Sequence, residues 1–166
     1  MIKNRVVPVL WGIKHRDLTY IKDYFKDPEQ ESGWIEIGHQ PEALCIDLHV
    51  IKNVYPWMDY VKNYFPDLEN LSFCISRFKP GTYFPMHTDR YGYYSKANNI
   101  QDLSSIVRYV LFLEDSAPGH MLQIGDIVYH NWPSGLCVGW DHSTPHMAAN
   151  LGIQDRYTLQ ITGTKV

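Results

Sequence analysis

Apolar positions in the first 70 residues follow helical and extended patterns in turn. Residues 17–26 place apolar side chains three and four positions apart with charged residues between them, which predicts an amphipathic helix that ends before Pro28. Residues 56–65 repeat this spacing behind a proline, which suits the first turn of a second helix. Between the two, the apolar residues of 43–51 indicate a strand.

After residue 71 the helical spacing disappears, and short apolar runs follow one another between turn residues. β-Branched and aromatic residues fill these runs, which predicts about eight strands in a sandwich, jelly roll or barrel. The predicted strands are 71–78, 82–87, 106–113, 121–124, 127–131, 136–140, 146–150 and 156–162. Residues 90–105 fit neither pattern, and we expect a functional or mobile loop there.

Length and composition narrow the class of protein. A chain of 166 residues predicts one domain, with 1–70 as mixed helical support and 71–166 as the β core. The net charge of −3 argues against nucleic acid as a partner, and the apolar runs are too short to span a membrane. Three cysteines without a CxxC pair predict a reducing setting, the cytoplasm, or a host cytoplasm if the protein is viral.

Two of the eight histidines begin a His-x-Asp triplet. His15 opens HRDL, which is similar to a kinase catalytic loop, but no glycine-rich phosphate loop can precede it, and we interpret the triplet as a surface turn. His87 opens HTD at the end of a predicted strand, where residues i and i+2 face the same side. His87 and Asp89 therefore project together.

An imidazole and a carboxylate on one face lack one ligand for a 2-His-1-carboxylate iron site, which leaves coordination positions open for a cosubstrate and oxygen. A later strand has to supply the third ligand, and His142 and His146 are the two candidates. Arg156 follows His146 by ten positions and begins the last predicted strand. Side-chain hydrogen bonding between His87 and Asp89 without a metal is the simpler alternative.

These motifs make residues 71–163 resemble the double-stranded β-helix core of the Fe(II)/2-oxoglutarate-dependent dioxygenases. ISRFKPGTYFPMHTD is similar to the strand, turn and strand that lead into the HxD motif of prolyl hydroxylases. HSTPHMAANLGIQDRYTLQITG resembles the distal His-x9-Arg region of aspartyl/asparaginyl β-hydroxylases. The resemblance implies an α+β, mainly β fold, with a jelly-roll, cupin-like core braced by N-terminal helices.

The same resemblance implies roles for particular residues. Iron would be bound by His87, Asp89 and His146, with His142 as the alternative distal ligand. Arg156 would bind the distal carboxylate of 2-oxoglutarate, since a forked and permanently charged donor suits a buried carboxylate. Four further residues are expected at the cosubstrate, namely Thr158, Arg108, Tyr83 and Tyr109. Three tyrosines are expected to form a lid or a substrate wall, namely Tyr91, Tyr93 and Tyr94.

The implied activity is hydroxylation of a C–H bond in an amino acid or a peptide or protein side chain, which consumes molecular oxygen and 2-oxoglutarate and releases succinate and carbon dioxide. Because Asp89 is present, we expect hydroxylation rather than halogenation. Thr162 stands where enzymes that repair alkylated bases carry a second arginine, which argues against nucleic acid. Two alternatives stay open: a metal-binding, cupin-like module without turnover, and a metal-free β-sandwich interaction domain. The remaining histidines are expected to be structural or exposed, namely His39, His49, His120 and His130.

Overall fold

Strands dominate the fold of this chain. The structure is a computed structural model that describes residues 3–9, 12–24, 27–49, 51 and 53–166. Its strands are Lys3–Val6 (β1), Ile21–Tyr24 (β2), Cys45–His49 (β3), Leu68–Phe78 (β4), Tyr83–His87 (β5), Ile106–Phe112 (β6), His120–Ile124 (β7), Ile127–Tyr129 (β8), Leu136–Asp141 (β9), His146–Asn150 (β10) and Arg156–Lys165 (β11). Its helices are Pro28–Glu36 (α1), Pro56–Lys62 (α2) and Gly92–Ala97 (α3), and none of these described helices has the length and apolarity that a membrane crossing requires.

The strands of the described ranges form two antiparallel sheets. The large sheet has the order β1-β9-β6-β11-β4-β3-β2, and the small sheet has the order β5-β10-β7-β8. Strands β4 to β11 occupy the eight runs that the sequence pattern predicts. They alternate between the two sheets as in a jelly roll, except that β7 and β8 both lie in the small sheet. The expected fold class, a mainly β double-stranded β-helix, is confirmed.

Strand β6 lies inside the large sheet and separates two apolar clusters. Tyr109 is fully buried in the cluster that also contains Val61 of α2. Phe112 packs into the other cluster, which contains Leu122 of the small sheet. Alternate residues of β6 therefore face either the supporting helix or the space between the sheets.

Helix α2 confirms the prediction of a helix that begins at Pro56. It buries Val61 completely, and Phe65, just beyond its end, lies edge-on to Tyr109 with ring centroids 5.0 Å apart. Proline at the first position costs no hydrogen bond, because the first N–H groups of a helix have no partner within the helix. This helix braces the outer face of the large sheet.

The helix predicted for residues 17–26 is wrong. Its residues form a 3-10 turn at His15–Asp17 and then strand β2, which pairs with β3, while residues 25 and 26 lie outside the described residues. Pairing with the sheet outweighs the weak local preference for a helix. Pro28 begins helix α1 instead of following one, and Asp27 caps that helix by accepting a hydrogen bond from the Gln30 N–H at 3.3 Å.

Residues 90–105, which fit neither sequence pattern, contain α3 and a 3-10 turn at Leu103–Ser105. Tyr91 and Tyr94 are three positions apart and are buried together against Ile106. Tyr91 has a left-handed backbone, with φ of 52°, which turns the chain from the HxD segment into α3.

Candidate metal centre

His87, Asp89 and His146 come together between the two sheets. His87 is the last residue of β5 and His146 the first of β10, and the two are direct partners in the antiparallel register. Each of the three residues offers a ligand atom, and these atoms lie within 4.8 Å of one another. The Asp89 carboxylate lies 3.8 Å from Nε2 of His87 and 3.6 Å from Nε2 of His146. This group can hold a metal ion.

Both imidazoles are oriented by backbone carbonyls. Nδ1 of His87 donates to the carbonyl of Pro85 at 2.7 Å, and Nδ1 of His146 donates to the carbonyl of Thr144 at 3.0 Å. A carbonyl only accepts, so the proton of each neutral ring lies on Nδ1 and the lone pair lies on Nε2. The two lone pairs are therefore available to a cation at the Asp89 carboxylate.

Burial sets the charge of this group. It lowers the pKa of His146 to about 4 and also lowers the pKa of His87. Burial acts to raise the pKa of Asp89, but the nearby charges, that of Arg108 first, outweigh it and lower that pKa. At neutral pH the site therefore presents two neutral imidazoles and one carboxylate, the protonation state that a metal ion needs.

Arg156 lies in the same cavity without an acidic partner among the described residues. It is 3% exposed, its Nη1 donates to the Met121 carbonyl at 3.0 Å, and its Nε makes no hydrogen bond there. Aromatic rings flank the guanidinium, with centroids 4.9 Å away for Phe78 and 5.4 Å for Trp132. Burial lowers the pKa of Arg156 to about 9, so it stays charged at neutral pH and favours an anionic ligand.

Two hydroxyl groups lie on the strands beside Arg156. Thr158 follows two positions later on β11, and its Oγ1 lies 2.6 Å from Oγ of Ser76, its partner on β4. Both side chains are buried. Thr158 was singled out by the sequence, whereas Ser76 was missed, because only the pairing of β4 with β11 brings it beside Thr158.

One cavity of about 730 Å³ joins the candidate metal ligands to Arg156. Nine of the residues predicted to form the site line it, namely His87, Asp89, Tyr91, Tyr93, Tyr94, Arg108, His146, Arg156 and Thr158. Other lining side chains were not singled out by the sequence, among them Trp140, Gln160 and Cys74. The alternation of β9, β11 and β4 was the only sequence signal for these three.

Three candidates lie elsewhere. Tyr109 faces α2, and its hydroxyl accepts from Arg5 at 3.4 Å. Tyr83 is on β5 but does not line the cavity, and its hydroxyl lies 2.7 Å from Nδ1 of His39. His142 is not a member of the group that can hold a metal, whereas His146 is.

Helix α1 approaches the HxD segment from outside the sheets. Arg90 forms ion pairs with Asp27 at 2.8 Å and Glu29 at 2.9 Å, and Gln30 donates to the Thr88 carbonyl at 3.4 Å. The residues on both sides of Asp89 are thus tied to the first turn of α1. The Arg90 side chain is 62% exposed, and its ion pairs are with Asp27 and Glu29.

Comparison with known proteins agrees with this geometry. The fold and the site define a double-stranded β-helix protein with a 2-His-1-carboxylate group. A family model for aspartyl/asparaginyl β-hydroxylases matches residues 57–165, and the chain belongs to that family of hydroxylases. No curated protein matches the chain significantly.

Solved structures with the same fold include three prolyl hydroxylases. The prolyl-4-hydroxylase of Pseudomonas putida superposes with a TM-score of 0.54 at 15% identity, covering 91% of this chain and 95% of that one. The viral collagen prolyl hydroxylase of Paramecium bursaria chlorella virus 1 gives 0.52 at 11% identity, covering 93% and 99%. The prolyl hydroxylase of Trichoplax adhaerens gives 0.57 at 10% identity, covering 99% and 83%. At these identities the likeness is one of fold.

Proposed function

We propose that this protein is a non-haem Fe(II)- and 2-oxoglutarate-dependent oxygenase that hydroxylates a C–H bond of an amino acid or of a peptide or protein side chain. The observation that carries the proposal is that one cavity contains both the His87–Asp89–His146 group and the buried Arg156. A metal donor set and a separate buried cation suit a dicarboxylate that binds the metal through one end and the arginine through the other.

The donor set fits Fe(II) better than it fits a structural metal. Two neutral imidazoles and one carboxylate occupy three positions and leave the others to the cosubstrate and oxygen, whereas a structural zinc site has four protein ligands. Oδ2 of Asp89 is buried and accepts no hydrogen bond from the described residues, as expected of an oxygen that faces a cation.

Arg156 would bind the far carboxylate of 2-oxoglutarate. Its buried Nε has a donor to spare, and the hydroxyl groups of Thr158 and Ser76 lie on the neighbouring positions of β11 and β4. Phe78 and Trp132 exclude water from the guanidinium and so strengthen its attraction for a carboxylate. The arginine would fix the orientation of the cosubstrate.

When iron and 2-oxoglutarate are bound, they supply the oxidation, in which one oxygen atom of O₂ enters the substrate C–H bond and 2-oxoglutarate yields succinate and carbon dioxide. The chain itself binds, orients and shields the reactants, and no side chain has to act as a general acid or base. Tyr91 and Tyr94 are buried at one wall of the cavity, while Tyr93 is 91% exposed on the same helix. These three tyrosines would contact the substrate.

The name of the family supports an amino-acid side chain as the substrate class. The prolyl hydroxylases with the same fold include one in complex with a peptide fragment, which supports a peptide or protein as the carrier of that side chain. The cytoplasm is the proposed setting, because all three cysteines are free thiols and two of them are buried.

Anaerobic addition of Fe(II) and 2-oxoglutarate tests the proposal directly. We expect a weak visible charge-transfer band in the green and saturable 2-oxoglutarate binding by calorimetry that requires the metal. Slow conversion of 2-oxoglutarate to succinate should follow when oxygen is admitted. Metal binding without the band and without 2-oxoglutarate binding would instead establish a cupin-like binding module, and the absence of metal binding would leave a β-sandwich interaction domain.

A further inference from the structure

Arg108 is a partly buried cation beside the candidate metal ligands. It lies on β6, on the face between the two sheets, and its Nη2 lies 3.4 Å from Oδ2 of Asp89. Its Nη1 donates to Oε1 of Gln160 at 2.6 Å, and its guanidinium carbon lies 5.0 Å from the centre of the Tyr91 ring. The guanidinium is thus held from three sides, and one of these is the carboxylate of the metal group.

Asp89 depends on this contact more than the two histidines do. Each histidine lies on a strand and donates through Nδ1 to a backbone carbonyl. Asp89 lies beyond the end of β5, and no described residue donates a hydrogen bond to its Oδ2. Nη2 of Arg108 lies 3.4 Å from this oxygen and Nε2 of His146 lies 3.6 Å from it. When His146 binds a metal ion, the ion pair with Arg108 is the remaining contact that orients this oxygen.

Gln160 in turn fixes Arg108. It lies on β11 between Thr158 and Thr162, and Thr162 is the register partner of Arg108. While Oε1 of Gln160 accepts from Arg108, its Nε2 donates to Oγ of Ser76 at 3.5 Å. The amide cannot rotate without losing both contacts, so the strand floor of the cavity holds the guanidinium in one position.

From these contacts we infer that Arg108 is a positioning residue for Asp89, held in place by Gln160, and that its main effect is on metal affinity. The inference rests on the proposed function for the identity of the metal site. It differs from the role near the cosubstrate that the sequence resemblance implies for Arg108. Partners that orient metal ligands typically change metal affinity by about 10- to 100-fold when they are removed.

Co(II) binding to the full chain tests this inference without catalysis. Calorimetry gives the affinity, and the visible d–d spectrum of bound Co(II) reports the ligand geometry. The variants are Arg108→Met, which keeps length and loses charge, Arg108→Lys, which keeps charge and loses the fork, and Gln160→Leu, which releases the guanidinium. Arg90→Met is the matched control. Arg90 follows Asp89 directly in sequence, but its charge is paired with Asp27 and Glu29 at the first turn of α1.

We expect Arg108→Met to weaken Co(II) binding about 10- to 100-fold and to change the spectrum. Arg108→Lys should recover part of the affinity, and Gln160→Leu should shift both readouts in the same direction by less. Arg90→Met should stay within about threefold, since the ion pairs of Arg90 are with Asp27 and Glu29 and not with a candidate metal ligand. If Arg108→Met fails to fold, as judged by thermal unfolding of the metal-free chain, Gln160→Leu decides.

Two results would overturn the inference. One is wild-type Co(II) affinity and spectrum in both Arg108→Met and Gln160→Leu. If these variants also lose 2-oxoglutarate binding, Arg108 is a cosubstrate ligand instead. The other is a wild-type chain that binds no Co(II). The wild-type chain could also bind Co(II) but not 2-oxoglutarate, while Arg108→Met binds Co(II) more weakly than wild type. This result would refute the proposed function and leave the positioning role intact.

Discussion

The rings of His87 on β5 and His146 on β10 lie beside each other, with centroids 4.4 Å apart and a tilt of 53° between their planes. They are register partners, so the pairing of two strands sets their separation. Each is buried, and each turns Nε2 toward Asp89. The candidate metal group is therefore built from the small sheet and the residue pair that follows β5.

The choice between the two candidate distal ligands leads to the first prediction. His146→Ala should abolish Fe(II) binding, because it removes one of only three protein donors in the described group, whereas His142→Ala should leave it unchanged. Calorimetry with anaerobic Fe(II) measures both variants. The reverse result would assign the ligand to His142.

The second prediction concerns Arg156. Arg156→Met should leave the metal bound but weaken 2-oxoglutarate binding by about 2–5 kcal/mol, because it leaves a buried carboxylate without its partner. Arg156→Lys should keep part of the affinity, since it retains the charge but not the fork. Competition by succinate provides a second readout, and equal cosubstrate affinity in wild type and Arg156→Met would contradict the assignment.

The third prediction is a loss of stability on acidification of the metal-free chain. Burial lowers the pKa of His120, whose Nε2 donates to the Gln154 carbonyl at 3.0 Å while Nδ1 accepts from the Ala117 N–H at 3.2 Å. Since the folded pKa lies below that of the unfolded chain, near 6.5, the unfolded state binds more protons as the pH falls below about 6.5. The free energy of unfolding should therefore decrease in that window, by at most about 1.4 kcal/mol per pH unit for this residue.

Urea unfolding at pH 7 and pH 5.5 measures this effect. His120→Asn should reduce the loss between the two pH values, and His130→Asn, which alters an exposed side chain, should not. An equal pH dependence in His120→Asn and wild type would show that His120 does not contribute.

The fourth prediction compares two glycines. A Cβ added at Gly139 on β9 would lie 2.3 Å from the ring of the buried Tyr109, so Gly139→Ala should destabilise the fold by about 1–3 kcal/mol. A Cβ added at Gly33 in α1 meets nothing within 4 Å, so Gly33→Ala should stabilise it by about 0.5–1 kcal/mol. Denaturant midpoints test both, and equal effects would show that the Tyr109 ring moves aside.

The fifth prediction separates the exposed tyrosine of α3 from its buried neighbour. Tyr93→Ala should leave the free energy of unfolding within about 0.5 kcal/mol, since surface substitutions rarely exceed this. Tyr94→Phe should cost about 0.5–1.5 kcal/mol, because the Tyr94 hydroxyl donates to the Asn70 carbonyl at 2.8 Å. If Tyr93 contacts substrate, its variant should raise the substrate KM while 2-oxoglutarate affinity stays unchanged.

Sequence patterns predicted the strands of the core well, because alternation and turn residues specify each of them locally. They failed for α1, whose described residues include no buried side chain and therefore no apolar stripe that a pattern could show. They also failed for β2, where pairing with β3 decides the structure. Long-range partners determine elements of this kind.

The candidate site was predictable to the same degree. His87 and Asp89 follow from a motif on a predicted strand, since such motifs constrain where side chains point. The choice of His146 over His142 came from the family resemblance. Arg108 and Tyr109 are adjacent, yet only Arg108 lines the cavity. The sequence does not show which of the two alternating sets of β6 side chains faces the space between the sheets. Ser76 needed the register of β4 with β11 before its hydroxyl could be placed beside Thr158.

The division of the site between the sheets has a mechanical consequence. His87 and His146 belong to the small sheet, whereas Arg156, Thr158 and Arg108 belong to the large one. A cosubstrate that reaches from the metal to Arg156 would act as a non-covalent cross-link between the two layers of the sandwich. Occupancy would then resist their separation, so the melting temperature would rise with cosubstrate concentration and amide exchange would slow in β10 and β11 together.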